Sequence, residues 1–358
     1  MNNTKNVVIA MSGGVDSSIS AVLLKDMGYK VTGIFMKNWE EDDNDNNCNV
    51  ADDYKDAKRV ANKLGINLLT VNFSDKYWQL VFQRLIDGLR SGITPNPDIF
   101  CNREIKFNYF YQHILSLGYD QLATGHYAKV ANEDNKYKLK VANDENKDQT
   151  YFLYMLKQDV LKNIIFPLEN ITKVEVKKIA KEFDLKISEK KESMGICFIG
   201  KKNFTKFIKK YLKNHPGNIL DDSGKVIGKH QGLFNYTIGQ RRGIGIGGIS
   251  DASNNPWFVM SKDVSNNNLV VTQDEEKLLY KGKLLLSSTS WVHDAPKNEV
   301  YTARFRHGGK LVPVLIEEKD RRYYVILEDY ERAVTIGQSA VIYRNNECLG
   351  GGIIEQLS

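Results

Sequence analysis

Two features of this 358-residue sequence could support chemistry: a turn rich in serine and glycine, and two of the four cysteines. The turn is SGGVDS at residues 12–17, directly after the apolar run 6–11. The apolar run predicts a strand and residues 17–27 have helical spacing, so the turn joins a strand to a helix. Backbone N–H groups converge at such a junction, and glycine lets an oxyanion approach closely. The sequence therefore predicts a phosphate-binding loop.

Asp16 is the residue of this loop that a phosphate would repel. A carboxylate and a phosphate come together when a cation lies between them, so Asp16 suggests a Mg²⁺ ion held jointly with phosphates. No lysine follows the glycines, which excludes the Walker A loop. We therefore expect a nucleotide with Mg²⁺ here, and the full set of metal ligands is unknown from the sequence.

The first cysteine of interest, Cys101, follows the segment TPNPDIF at residues 94–100. A helix is predicted over 102–117, and its dipole, together with the charge of Arg103, would favour the reactive thiolate. Asp98 could move a proton as a general acid or base, or it could cap the helix, and both roles can coexist. Cys197 lies in the apolar segment SMGICF, where a buried core thiol and a reactive thiol are both open interpretations.

Composition narrows the protein class. Hydrophobic residues make up 42% and charged residues 26% of the chain, as in folded soluble proteins. We expect no membrane segment and no secretion signal, because no apolar stretch is long enough and the first residues lack a basic and then apolar pattern. Four scattered cysteines without a CxxC pair favour a reducing cytoplasm. Cys48 and Cys348 are assigned no catalytic step.

Positive charge is concentrated in one window. Residues 201–250 contain ten Lys or Arg against Asp221 and Asp222, a net +8, while the whole chain is +6. Such a cluster could neutralise the phosphate backbone of a nucleic acid, or it could be a solvated helix face.

The elements that must position these residues alternate between strand and helix. Strands are predicted at 30–36, 67–72 and 121–124, with helices between them, including one over 75–89 capped by Ser74. This alternation predicts an α/β domain with a parallel sheet, which binds ligands at the carboxyl ends of its strands. Thr172 is predicted to cap a further helix that extends to Phe183.

The second half of the chain has a different pattern. The stretch 217–248 contains nine glycines, which favours a ligand-shaped loop over a regular helix or long strand. Six short alternating runs follow, from 269–272 to 339–343, and they predict a small β-barrel or sandwich. We therefore expect three domains, at residues 1–200, 201–276 and 277–358.

Several long motifs resemble one family. SGGVDS resembles the PP-loop of the N-type ATP pyrophosphatases, which split ATP between the α and β phosphates. Together with TPNPDIFCN, ATGHYAKV, NKDQTYFL, SMGICFIG, HQGLFNYTIGQRRGIGIG and CLGGGII, it resembles the tRNA-specific 2-thiouridylases of the MnmA type over nearly the full chain. The resemblance implies a Rossmann-like PP-loop domain, a small central tRNA-binding domain and a C-terminal antiparallel β-barrel.

The resemblance also implies a reaction. ATP adenylates the C2 oxygen of the wobble uridine of tRNA, a cysteine persulfide supplies the sulfur, and AMP and pyrophosphate are released. Cys101 resembles the nucleophile, Cys197 the persulfide carrier and Asp98 the acid or base. The implied partners are the tRNA and a persulfide donor such as a cysteine desulfurase or a relay protein, and the expected state is a monomer.

Binding residues follow from the same motifs. The implied ATP contacts are Ala10, Met11, Ser12, Gly13, Gly14, Val15, Asp16, Ser17, Met36 and Gly125. The implied contacts to the target base are Asn96, Pro97 and Asp98, and those to the rest of the tRNA are His126, Lys147, Asp148, Gln149, Arg306, His307 and Gln338. Most relatives have tyrosine at the position of His307.

Two other functions use the same features. ATP pyrophosphatase chemistry could join an amine instead of sulfur, as in lysidine synthetases or amide-forming ligases, but that chemistry requires no pair of cysteines. A protein that binds RNA or nucleotide without catalysis would release no pyrophosphate in the presence of tRNA.

Overall fold

The computed structural model describes residues 5–40, 49–185, 204–246 and 255–358. Cys48 and Cys197 lie outside these ranges, as does the whole SMGICF segment.

A five-stranded parallel sheet organises the N-terminal domain and confirms the predicted α/β class. Its order is β3-β2-β1-β4-β7. The strands are β1 (Asn6–Met11), β2 (Lys30–Lys37), β3 (Asn67–Asn72), β4 (Gln121–Ala123) and β7 (Ile164–Ile165). Val7 and Ile9 pack into one apolar cluster and Val8 into another, so β1 is buried on both faces. Helical layers on both sides explain why the predicted strand is a continuous apolar run.

Helices connect and cover these strands. They are α1 (Val15–Asp26), α2 (Asn49–Leu64), α3 (Ser74–Tyr77), α4 (Gln83–Arg90), α5 (Pro97–Phe100), α6 (Tyr111–Ser116), α7 (Thr150–Leu153), α8 (Gln158–Leu161) and α9 (Lys173–Glu182), with π-helical segments at Trp78–Phe82 and Cys101–Phe110. Thr172 caps α9 through a reciprocal bond pattern with Glu175, as predicted.

Two predicted helix starts are wrong. Phe73, not Ser74, is the N-cap of α3, and Asn72 Oδ1 accepts from the Ser74 amide at 2.9 Å. The helix predicted from residue 102 begins five residues earlier, at Pro97, because Asn96 caps it. Proline is well suited to the first helical position, since the amide it lacks would have no partner there.

The central part contains α10 (Phe204–Ile208) and a four-stranded sheet of order β10-β11-β8-β9. The strands are β8 (Gly217–Leu220), β9 (Val226–His230), β10 (Phe258–Asp263) and β11 (Asn268–Thr272). The prediction of a loop throughout 217–248 is therefore wrong at β8 and β9. The glycines of this stretch weakened the strand pattern of β8 and β9 in the sequence. The apolar residues of these strands, such as Ile219, pack with Val259 and Leu269 from later strands.

The C-terminal domain is a closed antiparallel barrel, as predicted. Its order is β13-β16-β15-β14-β18-β19, and pairing of β13 with β19 closes it. The strands are β13 (Lys283–Trp291), β14 (Val300–Arg304), β15 (Val312–Lys319), β16 (Arg322–Leu327), β18 (Ser339–Arg344) and β19 (Glu347–Leu357), with a small ribbon of β12 (Leu279–Tyr280) and β17 (Glu331–Arg332). The run 269–272, predicted as the first strand of this group, belongs instead to the central sheet as β11.

A hairpin from the N-terminal domain extends the barrel sheet. Its strands β5 (Lys129–Glu133) and β6 (Lys136–Lys140) join through β6, which pairs antiparallel with β19 at Cys348. One apolar cluster continues across this junction and includes Tyr151 and Tyr154 with Tyr343 and Cys348. The barrel is therefore packed directly onto the domain that holds the phosphate loop and Cys101.

Candidate active site

The predicted phosphate loop lies where the strand order reverses. The chain adds β2 and β3 on one side of β1 and then β4 on the other, and ligands of parallel sheets bind at this point. Ser17 Oγ lies 3.2 Å from both the Ser12 amide and the Ser12 hydroxyl and donates to the Gly14 carbonyl at 3.1 Å. Ser18 Oγ donates to the same carbonyl at 2.8 Å. These short-range bonds hold the loop in shape at the start of α1.

Two glycines are required by close backbone contacts. Gly13 has φ +73°, and a Cβ there would meet the Asp53 carbonyl oxygen at 2.2 Å. A Cβ on Gly125 would meet the Ser17 amide nitrogen at 2.8 Å. Gly125 follows β4, so the backbone after β4 lies against the first turn of α1. The structure thus brings Gly125 to the loop, although its predicted ATP contact stays a prediction.

Asp16 is held by residues that sequence reasoning missed. Its carboxylate accepts from Lys173 Nζ at 2.6 and 2.7 Å and from the Tyr127 hydroxyl at 3.1 Å. The Lys173 side chain is only 8% exposed. A positive charge at the first position of a helix is unfavourable because it repels the positive end of the helix dipole. The presence of Lys173 at the start of α9 was therefore the one feature of the sequence that could have indicated a nearby acidic partner.

The charge of Asp16 is thus balanced by a lysine. Among the described residues no three His, Cys, Asp or Glu side chains form a metal-binding group. Mg²⁺ commonly takes one or two carboxylates with phosphates and water, so Asp16 alone fits a site that a nucleotide completes. That site stays a prediction.

The remaining predicted ATP residues either adjoin the loop in sequence or lie on the strand next to β1. Ala10 and Met11 are the last two residues of β1, and Val15 begins α1. Met36 lies near the end of β2, is partly buried, and packs against the apolar cluster that contains Trp39 and Cys101. Cys101 therefore belongs to the core beside the strand adjacent to β1.

The helix that bears Cys101 starts on a strong cap. Asn96 Oδ1 accepts from the amides of Asp98 at 3.2 Å and Ile99 at 3.4 Å. Asn96 therefore caps the helix, which excludes the alternative that Asp98 is the cap. Pro97 occupies the first helical position, and Asp98 follows in the first turn, where the dipole favours a negative charge.

Cys101 lies in the second turn and is 1% exposed. Arg103 was expected to add positive charge beside it. The Arg103 guanidinium pairs instead with Glu104, with Nε at 2.9 Å from Oε1, and stacks on Phe100 at 5.3 Å. Arg103 shares this carboxylate with Arg84, whose Nη1 is 3.3 Å from the same oxygen.

His126 lies between aromatic rings after β4. Its ring centroid is 5.9 Å from that of Phe107 and 6.0 Å from that of Phe166, and Nδ1 is 2.7 Å from Thr124 Oγ1. Burial, with a smaller contribution from the charge of Lys106, lowers the pKa of His126 well below its ordinary value. The imidazole is therefore neutral at pH 7.

Lys147, Asp148 and Gln149 precede α7, at the junction with the barrel. The Asp148 side chain is 1% exposed and pairs with Arg304 of β14 at 2.5 Å. It also accepts from the Thr150 hydroxyl at 2.8 Å. Gln149 Oε1 accepts from the Tyr127 amide at 3.0 Å. The carboxylate of Asp148 thus has a structural role in the junction, and its predicted tRNA contact stays a prediction.

Two barrel residues, His307 and Gln338, meet the N-terminal domain at this junction, and Arg306 lies beside His307. The His307 ring is exposed and stacks on Phe152 at 4.5 Å, while Arg306 is 3.8 Å from the buried Glu331. The amide of Gln338 donates to the carbonyl of Thr94, just before the Asn96 cap. The structure therefore brings the predicted tRNA residues 147–149, 306–307 and 338 to the surroundings of the Cys101 helix.

Comparison with known proteins identifies the family. Three domain models match in succession: a tRNA methyl transferase HUP domain over residues 5–201, a tRNA methyl transferase PRC-barrel domain over 205–273 and an aminomethyltransferase beta-barrel domain over 281–354. The tRNA-specific 2-thiouridylase MnmA of Pseudomonas fluorescens strain SBW25 is 47% identical, covering 98% of this chain and 95% of that protein. The chain belongs to the MnmA family of tRNA-specific 2-thiouridylases.

Other MnmA proteins match to the same extent. The protein of Proteus mirabilis strain HI4320 is 46% identical, with 99% of this chain and 98% of the relative covered. The match therefore includes the phosphate loop, the Cys101 helix and the barrel, and the resemblance found in the motifs is confirmed.

Proposed function

We propose that this protein catalyses ATP-dependent 2-thiolation of the wobble uridine of tRNA, with Cys101, Cys197 and Asp98 as the reacting residues. Its MnmA relatives are tRNA-specific 2-thiouridylases. The observation that supports the chemistry best is that Cys101 packs in one cluster with Met36 and Trp39, at the end of the strand next to β1. A nucleotide on the loop that follows β1 would therefore lie near the Cys101 helix.

The first proposed step is adenylation. The C2 carbonyl of uracil is a poor electrophile, so transfer of AMP to its oxygen creates a good leaving group and releases pyrophosphate. The loop 12–17 and the first amides of α1 would hold the phosphates. Lys173, 8% exposed and bound to Asp16, adds a positive charge beside this loop. Mg²⁺ held by Asp16 and the phosphates would neutralise further negative charge.

The second proposed step transfers sulfur. A persulfide on Cys197 attacks C2 and AMP leaves. The Cys101 thiolate then attacks Cys197 Sγ, the bond between Sγ and the transferred sulfur breaks, and a Cys101–Cys197 disulfide forms while the sulfur stays on C2. In the alternative order, Cys101 attacks Cys197 Sγ of the free persulfide first, which forms the same disulfide and releases sulfide, and the sulfide then attacks C2 with loss of AMP. In both orders an external thiol reductant later reduces the disulfide. Asp98, in the first turn of the Cys101 helix, would move the proton. The persulfide comes from a cysteine desulfurase or a relay protein.

The tRNA would lie across the junction of the N-terminal domain and the barrel. Arg306 and His307 are exposed there and Lys147 is partly exposed. The wobble base is unpaired, so it can leave the anticodon stack at low energetic cost to reach Asn96, Pro97 and Asp98.

Within the described ranges, no helix has the length and apolar character to cross a membrane. A cytoplasmic monomer is the state we propose.

Mass spectrometry of nucleosides tests this function. Unmodified tRNA is incubated with the protein, ATP, Mg²⁺ and either sulfide or a persulfide donor. We expect ATP-dependent 2-thiouridine from the wild type, and loss of product from Cys101→Ala and Cys197→Ala when the persulfide donor is used. Cys348→Ala is the matched control: it removes a buried thiol that is assigned no catalytic step, and it should retain product in protein shown to be folded by urea denaturation.

Two outcomes would overturn the proposal. Pyrophosphate release without any thiolated base, retained by Cys101→Ser, would favour an amine-joining reaction. Binding of tRNA without pyrophosphate release would favour a binding protein.

A further inference from the structure

Phe152 contacts both the barrel surface and the Cys101 helix: its ring stacks on His307, and its backbone carbonyl accepts from the Asn102 side chain. We propose that His307, Phe152 and Asn102 form a positioning linkage, so that tRNA engagement at the barrel turn 306–307 sets the position of the helix that bears Asp98 and Cys101. The proposal rests on the proposed function for its ligand, and none of the three residues is assigned a reacting role.

On the barrel side, Phe152 is held by aromatic stacking. The His307 ring lies 4.5 Å from the Phe152 ring at an interplanar angle of 36°. Partial desolvation lowers the pKa of His307, so the ring is neutral at pH 7 and contributes by stacking. A tyrosine at this position would stack in the same way.

Neighbouring residues fix the same segment to the barrel. The Tyr151 hydroxyl lies 3.1 Å from the Ser339 carbonyl and 3.3 Å from the Phe305 carbonyl. The Tyr154 hydroxyl is 3.1 Å from Ser339 Oγ. Because these bonds attach α7 and the residue after it to the barrel, a displacement of the barrel turn would displace α7 as well.

On the helix side, Asn102 holds the carbonyl of Phe152. Its Nδ2 donates to that oxygen at 3.1 Å, and the residue is 3% exposed. Its Oδ1 is buried and has no hydrogen-bond partner. An amide with one unsatisfied atom is a poor choice for stability alone, because a buried acceptor without a donor costs free energy. The one bond that it makes ties the Cys101 helix to α7.

Asn102 is well placed to transmit a shift. It directly follows Cys101 and is one turn after Asp98, so these residues share a rigid helical segment. Movement of the Phe152 carbonyl would therefore move both groups together. Positional errors of about 1 Å at reacting groups reduce rates about 100-fold in enzymes.

Turnover at saturating tRNA tests the linkage. We expect His307→Ala and Asn102→Ala each to lower kcat about 10-fold, and the double variant to be no slower than the worse single variant. His307→Tyr is the conservative variant: it keeps a ring that can stack on Phe152 and should restore most of the kcat that His307→Ala loses. Tyr323→Ala is the control: it removes a ring pair with Trp291 at 4.8 Å within the barrel and should leave kcat unchanged.

Alkylation of Cys101 provides a readout that needs no turnover. Unliganded protein is treated with iodoacetamide and the Cys101 peptide is followed by mass spectrometry. We expect several-fold faster labelling in His307→Ala and Asn102→Ala, and the wild-type rate in His307→Tyr and Tyr323→Ala. His307 is exposed, so its variants test the linkage even if Asn102→Ala does not fold.

The outcomes separate the two proposals. Faster labelling in a protein that does not thiolate tRNA would support the linkage and contradict the proposed function. Thiolation with multiplicative losses in the double variant and unchanged labelling would overturn the linkage and leave the proposed function intact.

Discussion

The phosphate loop and the junction around Phe152 differ in where their stabilising contacts come from. Ser12 and Ser17, which bond across the loop, are five residues apart. At the junction Thr150 bonds to Tyr343, 193 residues away, and Asp148 pairs with Arg304, 156 residues away. The serine bonds that shape the loop form with the local turn, although Lys173 of α9 holds Asp16 from outside it. The junction exists only when two domains have packed.

This difference has consequences for substitutions. A change in the loop should affect nucleotide chemistry more than the packing of the two domains. A change at the junction should destabilise the packing of two domains and alter several segments together, since its residues share partners. The following predictions are ordered from the largest expected effect to the smallest.

Removal of the cation at the junction should be the most destabilising change. Arg304→Met leaves the buried carboxylate of Asp148 without its charge partner, which costs about 3–5 kcal/mol in buried pairs. The double variant Arg304→Met/Asp148→Asn should recover most of that loss. Urea denaturation measures both, and equal stability of the single and double variants would contradict the coupling.

In the loop, Gly13→Ala should abolish ATP turnover. The positive φ disfavours any side chain by about 1–3 kcal/mol, and the added Cβ would also clash with the Asp53 carbonyl. Gly28→Ala is the matched control, because Gly28 has φ +82° but nothing within 4 Å of the added Cβ. Pyrophosphate release should be retained in this control, and its loss there would show that φ alone explains the Gly13 effect.

Acid should weaken the region around His126, which packs on both Phe107 of the Cys101 helix and Phe166 after β7. Its pKa is lowered in the folded state, so the unfolded chain binds the proton more readily below pH 6.5. Stability from this residue is therefore present above about pH 6.5 and is lost as pH falls towards the folded pKa, by at most about 1.4 kcal/mol per pH unit. His126→Asn should flatten this part of the stability curve measured by denaturation at pH 5 to 7.

The smallest effect is expected at the cap of α9. Thr172→Ala removes the bond to the Glu175 amide and should cost about 1 kcal/mol, with a modest rise in the KM for ATP because Lys173 begins this helix beside Asp16. Thr172→Ser keeps the hydroxyl and should behave as wild type. A rise in KM for both variants would argue against an effect through the cap.

Local patterns in the sequence were sufficient for the parts that are stabilised locally. The apolar run before residue 12, the loop and the helical spacing after it predicted β1, the phosphate loop and α1. The Thr172 cap and the alternating runs of the barrel were predicted for the same reason. Periodicity and capping depend on neighbours within a few residues, which the sequence lists directly.

Pairings between distant segments were decided only by the tertiary structure. The sequence did not indicate that Lys173 would neutralise Asp16, that β6 would join the barrel through β19, or that Arg304 would hold Asp148. Nor did it reveal β8 and β9 within the glycine-rich stretch, since their apolar residues are buried only by later strands. Each of these contacts depends on which surfaces meet after folding. The hydrophobic effect is non-directional, so the sequence of one segment does not specify which other segment will bury it.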